Sequence, residues 1–255
     1  AAFSGSDLNG MAAQAAAREL KARLVAFAAE QHQMPADAVD WLPGRVRVAG
    51  DEITFDRLVH DAYMARVQLS AAGFYKTPEI HWDRATGRGK PFFYFAYGAA
   101  CTEVVIDTLT GESRVLKVDI LHDVGHSINP AIDIGQIEGG FIQGMGWLTT
   151  EELVWKADGA LATHAPSTYK IPATGDVPEH FRIALWPEAN REDNVGGSKA
   201  VGEPPFMLAV SVYEALRHAI SAARPPADAG AWRPVALQAP ATAESVLRAL
   251  ERLPP

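Results

Sequence analysis

The stretch that most limits the fold is residues 128–153, "INPAIDIGQIEGGFIQGMGWLTTEEL". Gly135, Gly139, Gln143 and Gly146 recur there at three- and four-residue steps, the spacing of one helix face. Each glycine disfavours an isolated helix by roughly 1 kcal/mol against alanine. Such a helix persists only where tertiary contacts compensate. Its small-residue face allows close approach by backbone or by a ligand.

The rest of the chain supplies partners for it. Residues 6–31 read as a helix that Ser6 or Asp7 can cap, with Leu8, Ala12, Leu20, Leu24 and Phe27 on or near one face. "MPADAV" and "WLPGRVRVAGDEITF" read as turns and short strands. Residues 54–70 form a second helical pattern, with Leu58, Ala62, Met64 and Val67 apolar. "GFYKTPEIHWDRATGRGKPFF" is rich in breakers and aromatics and reads as an extended loop. Residues 92–106 suit a buried strand, "DTLTGES" a hairpin turn, and "RVLKVDILHDVG" the return strand. Residues 180–187 read as a strand. Residues 204–223 read as a helix with proline at its start and "RPP" after its end. "ATAESVLRALERL" closes the chain as a short amphipathic helix. Strands and helices mix without strict alternation, so the expected class is α+β, mixed sheets with packed helices.

Bulk properties narrow the function. The net charge of −8 argues against a nucleic-acid or anionic-membrane surface. No apolar run approaches the roughly 20 residues of a membrane span. The single cysteine, Cys101, permits no intramolecular disulfide and is too little for an iron–sulfur cluster. It lies in an apolar strand pattern and reads as a buried, inert thiol. Phe92, Phe93, Tyr94, Phe95 and Tyr97 read as core. The chain opens "AAFSGSDLNG" without an initiator methionine or signal-peptide pattern and reads as part of something longer.

Most motifs fail on inspection. "GGFIQGMG" lacks the spacing and following acid of a dinucleotide loop, and "TGRGK" lacks the first glycine of a phosphate loop. Ser167 has no nucleophile-elbow context. His122 and His126, four apart on a strand, stand about 13 Å from each other and read as ordinary histidines rather than metal ligands. Asp123 reads as a loop-orienting residue.

The remaining feature is "GGSKAVGEPP", residues 196–205. Pro204 suits a first helical position, which puts Glu203 near the N-cap, beside a helix dipole that favours its ionised form. Glutamate is not a preferred N-cap residue, and Gly196, Gly197 and Gly202 let backbone or ligand approach. A cap and a general base both fit the residues alone.

Taken in order, "GFYKTP", "FFYFAYGAACTEVVIDTLTG", "DVGHSINPAIDIGQIEGGFIQGMGW", "PSTYKIPA" and "GGSKAVGEPP" resemble the C-terminal molybdenum-cofactor region of the molybdenum hydroxylases. "KAVGEPP" resembles the xanthine dehydrogenase branch, of bacterial type, more than the aldehyde oxidase branch. The resemblance implies that residues 1–255 form one molybdopterin-binding catalytic region of a larger chain, with room for two lobes. It implies that Glu203 is the base in hydroxylation of hypoxanthine and xanthine to urate at molybdenum, with water as the oxygen source. Gln136 matches a glutamine that hydrogen-bonds the pterin. Ala1 and Ala2 match an alanine pair packed near the molybdenum without ligating it. Phe3, Ser4, Gly5 and Ser6 match the segment that follows, here with Phe3 and Gly5 where small hydroxyl residues stand in the family. Gly202 belongs to the loop that makes room for the cofactor. The resemblance further implies 2Fe-2S clusters, FAD and NAD handling in other modules, a dimeric complete enzyme, a cytoplasmic location, and no activity for this piece alone. An aldehyde or other N-heterocycle hydroxylase, and a non-catalytic subunit-docking module, are the alternatives.

Overall fold

The computed structural model describes residues 5–223 and 234–253. They divide into two units, one reaching to Phe93 and one running from Tyr94 onward.

In the first unit a wide helical turn over Gly5–Asn9 leads directly into α1 (Gly10–Gln31). Ser6 and Asp7 therefore lie inside the first turn rather than capping it, and Leu8 is exposed instead of facing the core. Three short strands, β1 (Asp40–Leu42), β2 (Arg45–Val48) and β3 (Asp51–Thr54), pair antiparallel in that order. The Thr54 hydroxyl accepts from the Arg57 amide and caps α2 (Phe55–Met64). The helix stops at Met64, short of residue 70, because Arg66 takes a φ of 63°. Leu24, Phe27 and Ala28 of α1 bury against Val46 of β2 and Leu58 and Ala62 of α2. The segment read as an extended loop contains a hairpin, β4 (His81–Asp83) with β5 (Arg88–Lys90). Its turn is tied by the Asp83 carboxylate, which accepts from the Ala85 amide and the Thr86 hydroxyl.

The second unit is built on three strands. β6 (Gly98–Ile106) and β7 (Ser113–His122) pair antiparallel, and β8 (His180–Leu185) joins β7 in parallel. β6 starts six residues later than the aromatic run implied. Phe92, Phe95 and Tyr97 precede it in irregular chain and are exposed rather than core. Along β6 the side chains at Ala100, Thr102, Val104 and Ile106 turn inward, so alternation carries Cys101 to the opposite face. Cys101 is exposed, contrary to the buried thiol expected.

Two helices cover the inner face: α3 (Pro130–Thr149) and α4 (Val210–Ala223). Asn129 caps α3 through its side chain and Pro130 fills the first position. Val118 and Ile120 of β7 pack against Ile137, Phe141 and Met145 of α3 and Val212 and Leu216 of α4. Phe141 is fully buried, its ring 5.5 Å from that of Phe181 on β8. The final helix, α5 (Ala243–Glu251), lays Val246, Ala249 and Leu250 on Ile220 of α4.

Phe141 joins α3 to the sheet, so Phe141→Ala is expected to cost about 3–5 kcal/mol. The measurement is a shift in the urea midpoint. A loss below about 1 kcal/mol would place the weight of this core elsewhere.

Candidate functional site

The glycine-rich helix meets the 196–205 segment backbone to backbone. A Cβ on Gly140 would stand 3.1 Å from the Gly202 carbonyl oxygen, and one on Gly144 only 2.3 Å from that of Phe206. Only glycine permits the second approach. The small-residue face expected at Gly135, Gly139, Gln143 and Gly146 is thus divided. Close backbone contact falls on Gly140 and Gly144, and Gly146 is pressed by Pro172 and Glu151. At Gly135 and Gly139 an added Cβ would meet nothing within 4 Å. Gln136 and Gln143 are exposed on this bare part of α3. Gly140 lies one helical turn beyond Gln136, a rise of about 6 Å along the axis. In the second unit the Glu203 junction therefore meets α3 one turn C-terminal to Gln136.

Glu203 occupies the position before Pro204, as the sequence implies, but the turn that follows is 3-10 over Pro204–Ala209. Its backbone, φ −83° and ψ −38°, is already helical rather than extended, and its side chain makes no capping bond. An N-cap normally needs extended backbone to aim its oxygen at the first free amides. The carboxylate is exposed, so the arrangement does not use it as a cap.

What fixes this junction is a set of contacts absent from the sequence reading. Gly196 and Gly197 take φ of 64° and 70°, turning the chain so that the Gly197 carbonyl accepts from the His126 and Asn190 amides. Ser198 then pairs antiparallel with Gly125, and the Lys199 amide donates to the Val124 carbonyl at 2.8 Å. The Lys199 ammonium donates to Asp123 Oδ2 at 2.5 Å and to the Phe95 carbonyl at 2.9 Å. It also lies 5.5 Å from the Tyr97 ring centre. Both members of the ion pair are largely buried, with side chains 10% and 13% exposed. The other oxygen of Asp123 accepts from the Gly125 amide, and the Ala200 amide donates to the Tyr94 hydroxyl. The signal for the pair was present in "HDVGH" and "GGSKAVG", but nothing in the chain joins positions 76 residues apart.

The two histidines part company. His126 is exposed, with Nδ1 3.1 Å from the Gly196 carbonyl oxygen. His122 is buried and its Nδ1 lacks a hydrogen-bond partner. Among the described residues no group of three or more metal-ligating side chains forms.

The remaining site residues lie elsewhere. Gly5 and Ser6 belong to the first unit, Gly5 exposed and Ser6 half-buried in its opening turn. Ala1, Ala2, Phe3 and Ser4 lie outside the described residues. A cavity of about 1150 Å³ opens at the far end of the sheet, between Leu109, Met145, Pro172 and Leu216, and neither Gln136 nor Glu203 lines it.

Burial pushes the His122 imidazole below its usual value, with Lys199 acting in the same sense and Asp123 opposing. A lowered folded-state value means the unfolded chain binds the proton first. Stability is therefore lost as pH falls from about 6.5 towards the folded-state value. His122→Leu is expected to flatten that part of the curve in denaturant titrations at several pH values. An unchanged slope would show that His122 is not its source.

Comparison with known proteins gives the arrangement its setting. The family model described as the molybdopterin cofactor-binding domain matches residues 1–178. The chain is 44% identical to a xanthine dehydrogenase/oxidase of Rattus norvegicus over 98% of its own length and 17% of that protein's. It is 44% identical to a xanthine dehydrogenase of Oryza sativa subsp. japonica, over 96% of this chain and again 17% of the relative. Quinoline 2-oxidoreductase from Pseudomonas putida 86 shares the fold with a TM-score of 0.73 at 26% identity, covering 93% of this chain and 29% of that one. The chain thus spans about a sixth of the length of the relatives it matches. With its helices and mixed sheets of α+β kind, it belongs to the molybdopterin cofactor-binding domain family.

Proposed function

We propose that residues 1–255 form the C-terminal cofactor-binding region of a xanthine dehydrogenase, with Gln136 towards the pterin and Glu203 as the catalytic base. The observation that carries this reading is the junction on α3. Glu203, an exposed carboxylate with no capping role, follows the Gly202 carbonyl that meets α3 at Gly140, and the exposed Gln136 amide lies one turn N-terminal to Gly140 on that helix, beside the bare backbone of Gly135 and Gly139. Relatives named as xanthine dehydrogenases, at 44% identity over nearly the whole chain, favour the purine reading over an aldehyde substrate.

The residues present fit the cofactor. Bare backbone at Gly135 and Gly139 gives a flat heterocycle room to lie against α3, and the Gln136 amide offers both a donor and an acceptor to its edge. Bound there, the molybdenum-bearing pterin supplies the two-electron redox chemistry of the hydroxylation. The chain's own part is positional and acid–base. A Glu203 carboxylate oxygen takes a proton from the water that provides the product oxygen, which makes that water a better nucleophile towards an electron-poor purine carbon. In the proposed assembly other modules would hold 2Fe-2S clusters and FAD and would supply the onward electron transfer to NAD. The working enzyme is a dimer in the cytoplasm. No helix among the described residues is long and apolar enough to cross a membrane.

The test is Glu203→Gln in the complete enzyme, with molybdenum and pterin assayed alongside turnover. Xanthine turnover is expected to fall by about 10²–10⁴-fold with cofactor content retained. Near-normal turnover rules out the base. Gln136→Ala is expected to weaken pterin retention on dialysis, and full retention would remove Gln136 from the site.

A further inference from the structure

Glu203 sits on a short span of chain fixed at both ends. On the downstream side, Pro205 is buried and Phe206 lies backbone to backbone against Gly144, its ring 5.5 Å from that of Trp147. On the upstream side the fixed point is Lys199. Its ammonium reaches Asp123 and the Phe95 carbonyl, and its amide reaches the Val124 carbonyl. The next amide, of Ala200, is held by the Tyr94 hydroxyl. Only three residues, Ala200, Val201 and Gly202, separate this anchor from Glu203. Val201 packs against the core and Gly202 presses its carbonyl on Gly140. A displacement at Lys199 therefore has little slack in which to be absorbed before the carboxylate.

We propose that Lys199, locked to Asp123, is a positioning residue that sets the placement of the Glu203 carboxylate. This rests on the reading of Glu203 as the base. A buried ammonium with a carboxylate and a carbonyl as partners has one low-energy placement, and losing either partner would leave a charge without compensation in a dry site. The pair is thus a stiff link between the end of β7 and the loop. A misplacement of about 1 Å at a reacting group costs on the order of 10²-fold in rate.

The experiment uses the complete enzyme and the substitutions Lys199→Met, Glu203→Gln and the two combined. Lys199→Met keeps the bulk of the stem and removes the charge. It is expected to lower kcat by about 10–100-fold, with KM and cofactor content near wild type. Because Lys199 acts through Glu203, adding Lys199→Met to Glu203→Gln is expected to cause little further loss. Hydrogen exchange should quicken at the amides of residues 199–201 while β6 and β7 keep their protection. The same multiplicative loss in both backgrounds would overturn the proposal, as would unchanged kcat with unchanged exchange. If Lys199→Met does not accumulate folded, Asp123→Asn, which preserves the acceptor for Gly125, carries the same expectations. Intact turnover in Glu203→Gln removes the base reading instead. The exchange of residues 199–201 then decides whether Lys199 holds the loop.

Discussion

The second unit depends on the backbone contact between α3 and the turn that follows Glu203. Gly144 lies closer to the Phe206 carbonyl than any other residue could. A glycine there weakens the helix by about 1 kcal/mol on its own. The same close approach lets Ile137, Phe141 and Met145 reach the sheet on one side while Ala209 and Val212 close over them. Burying each large side chain contributes about 1.5–3 kcal/mol, which outweighs the propensity cost of several glycines. Helix, turn and sheet are therefore one packing problem, and the junction inherits their rigidity.

Electrostatics near Glu203 differ from what a helix start alone would imply. The turn from Pro204 is 3-10 and the carboxylate does not meet its amides. The buried polar structure lies instead at Lys199 and Asp123, behind the loop. Such a pair adds little net stability over apolar packing, yet removing one partner costs about 3–5 kcal/mol. Its effect is to specify one arrangement of the loop, with buried His122 close by, its imidazole pushed below its usual value by burial.

Local patterns were legible where chemistry is local. The β6–β7 hairpin, β8 and the terminal helix all follow from turn residues and periodicity. Misreadings came where the outcome depends on distant chain. The aromatic run at 92–97 looks like strand by composition, but pairing with β7 begins only at Gly98. Cys101 shares an apolar stretch with its neighbours and is exposed because no layer covers that face of β6 among the described residues. Of the glycine face read on α3, only Gly146 is closely covered; the close backbone approach falls on Gly140 and Gly144, outside that face, and Gly135 and Gly139 are bare. Which glycines are covered is decided by a loop sixty residues downstream. Gln136 and Glu203 stood out through ordered motifs, whereas the bond between Lys199 and Asp123 has no local signature at all.

The pair also settles a matter of charge. Lys199 is the sole cation between Arg191 and Glu203, and its ion pair is with Asp123. A lysine free to swing would neutralise a carboxylate four residues away and hold it inert. Held behind the loop by Asp123, the ammonium does not cover the exposed Glu203 carboxylate. The loop thus presents an exposed carboxylate to whatever docks on that face, while the two charges beneath it cancel into a local dipole.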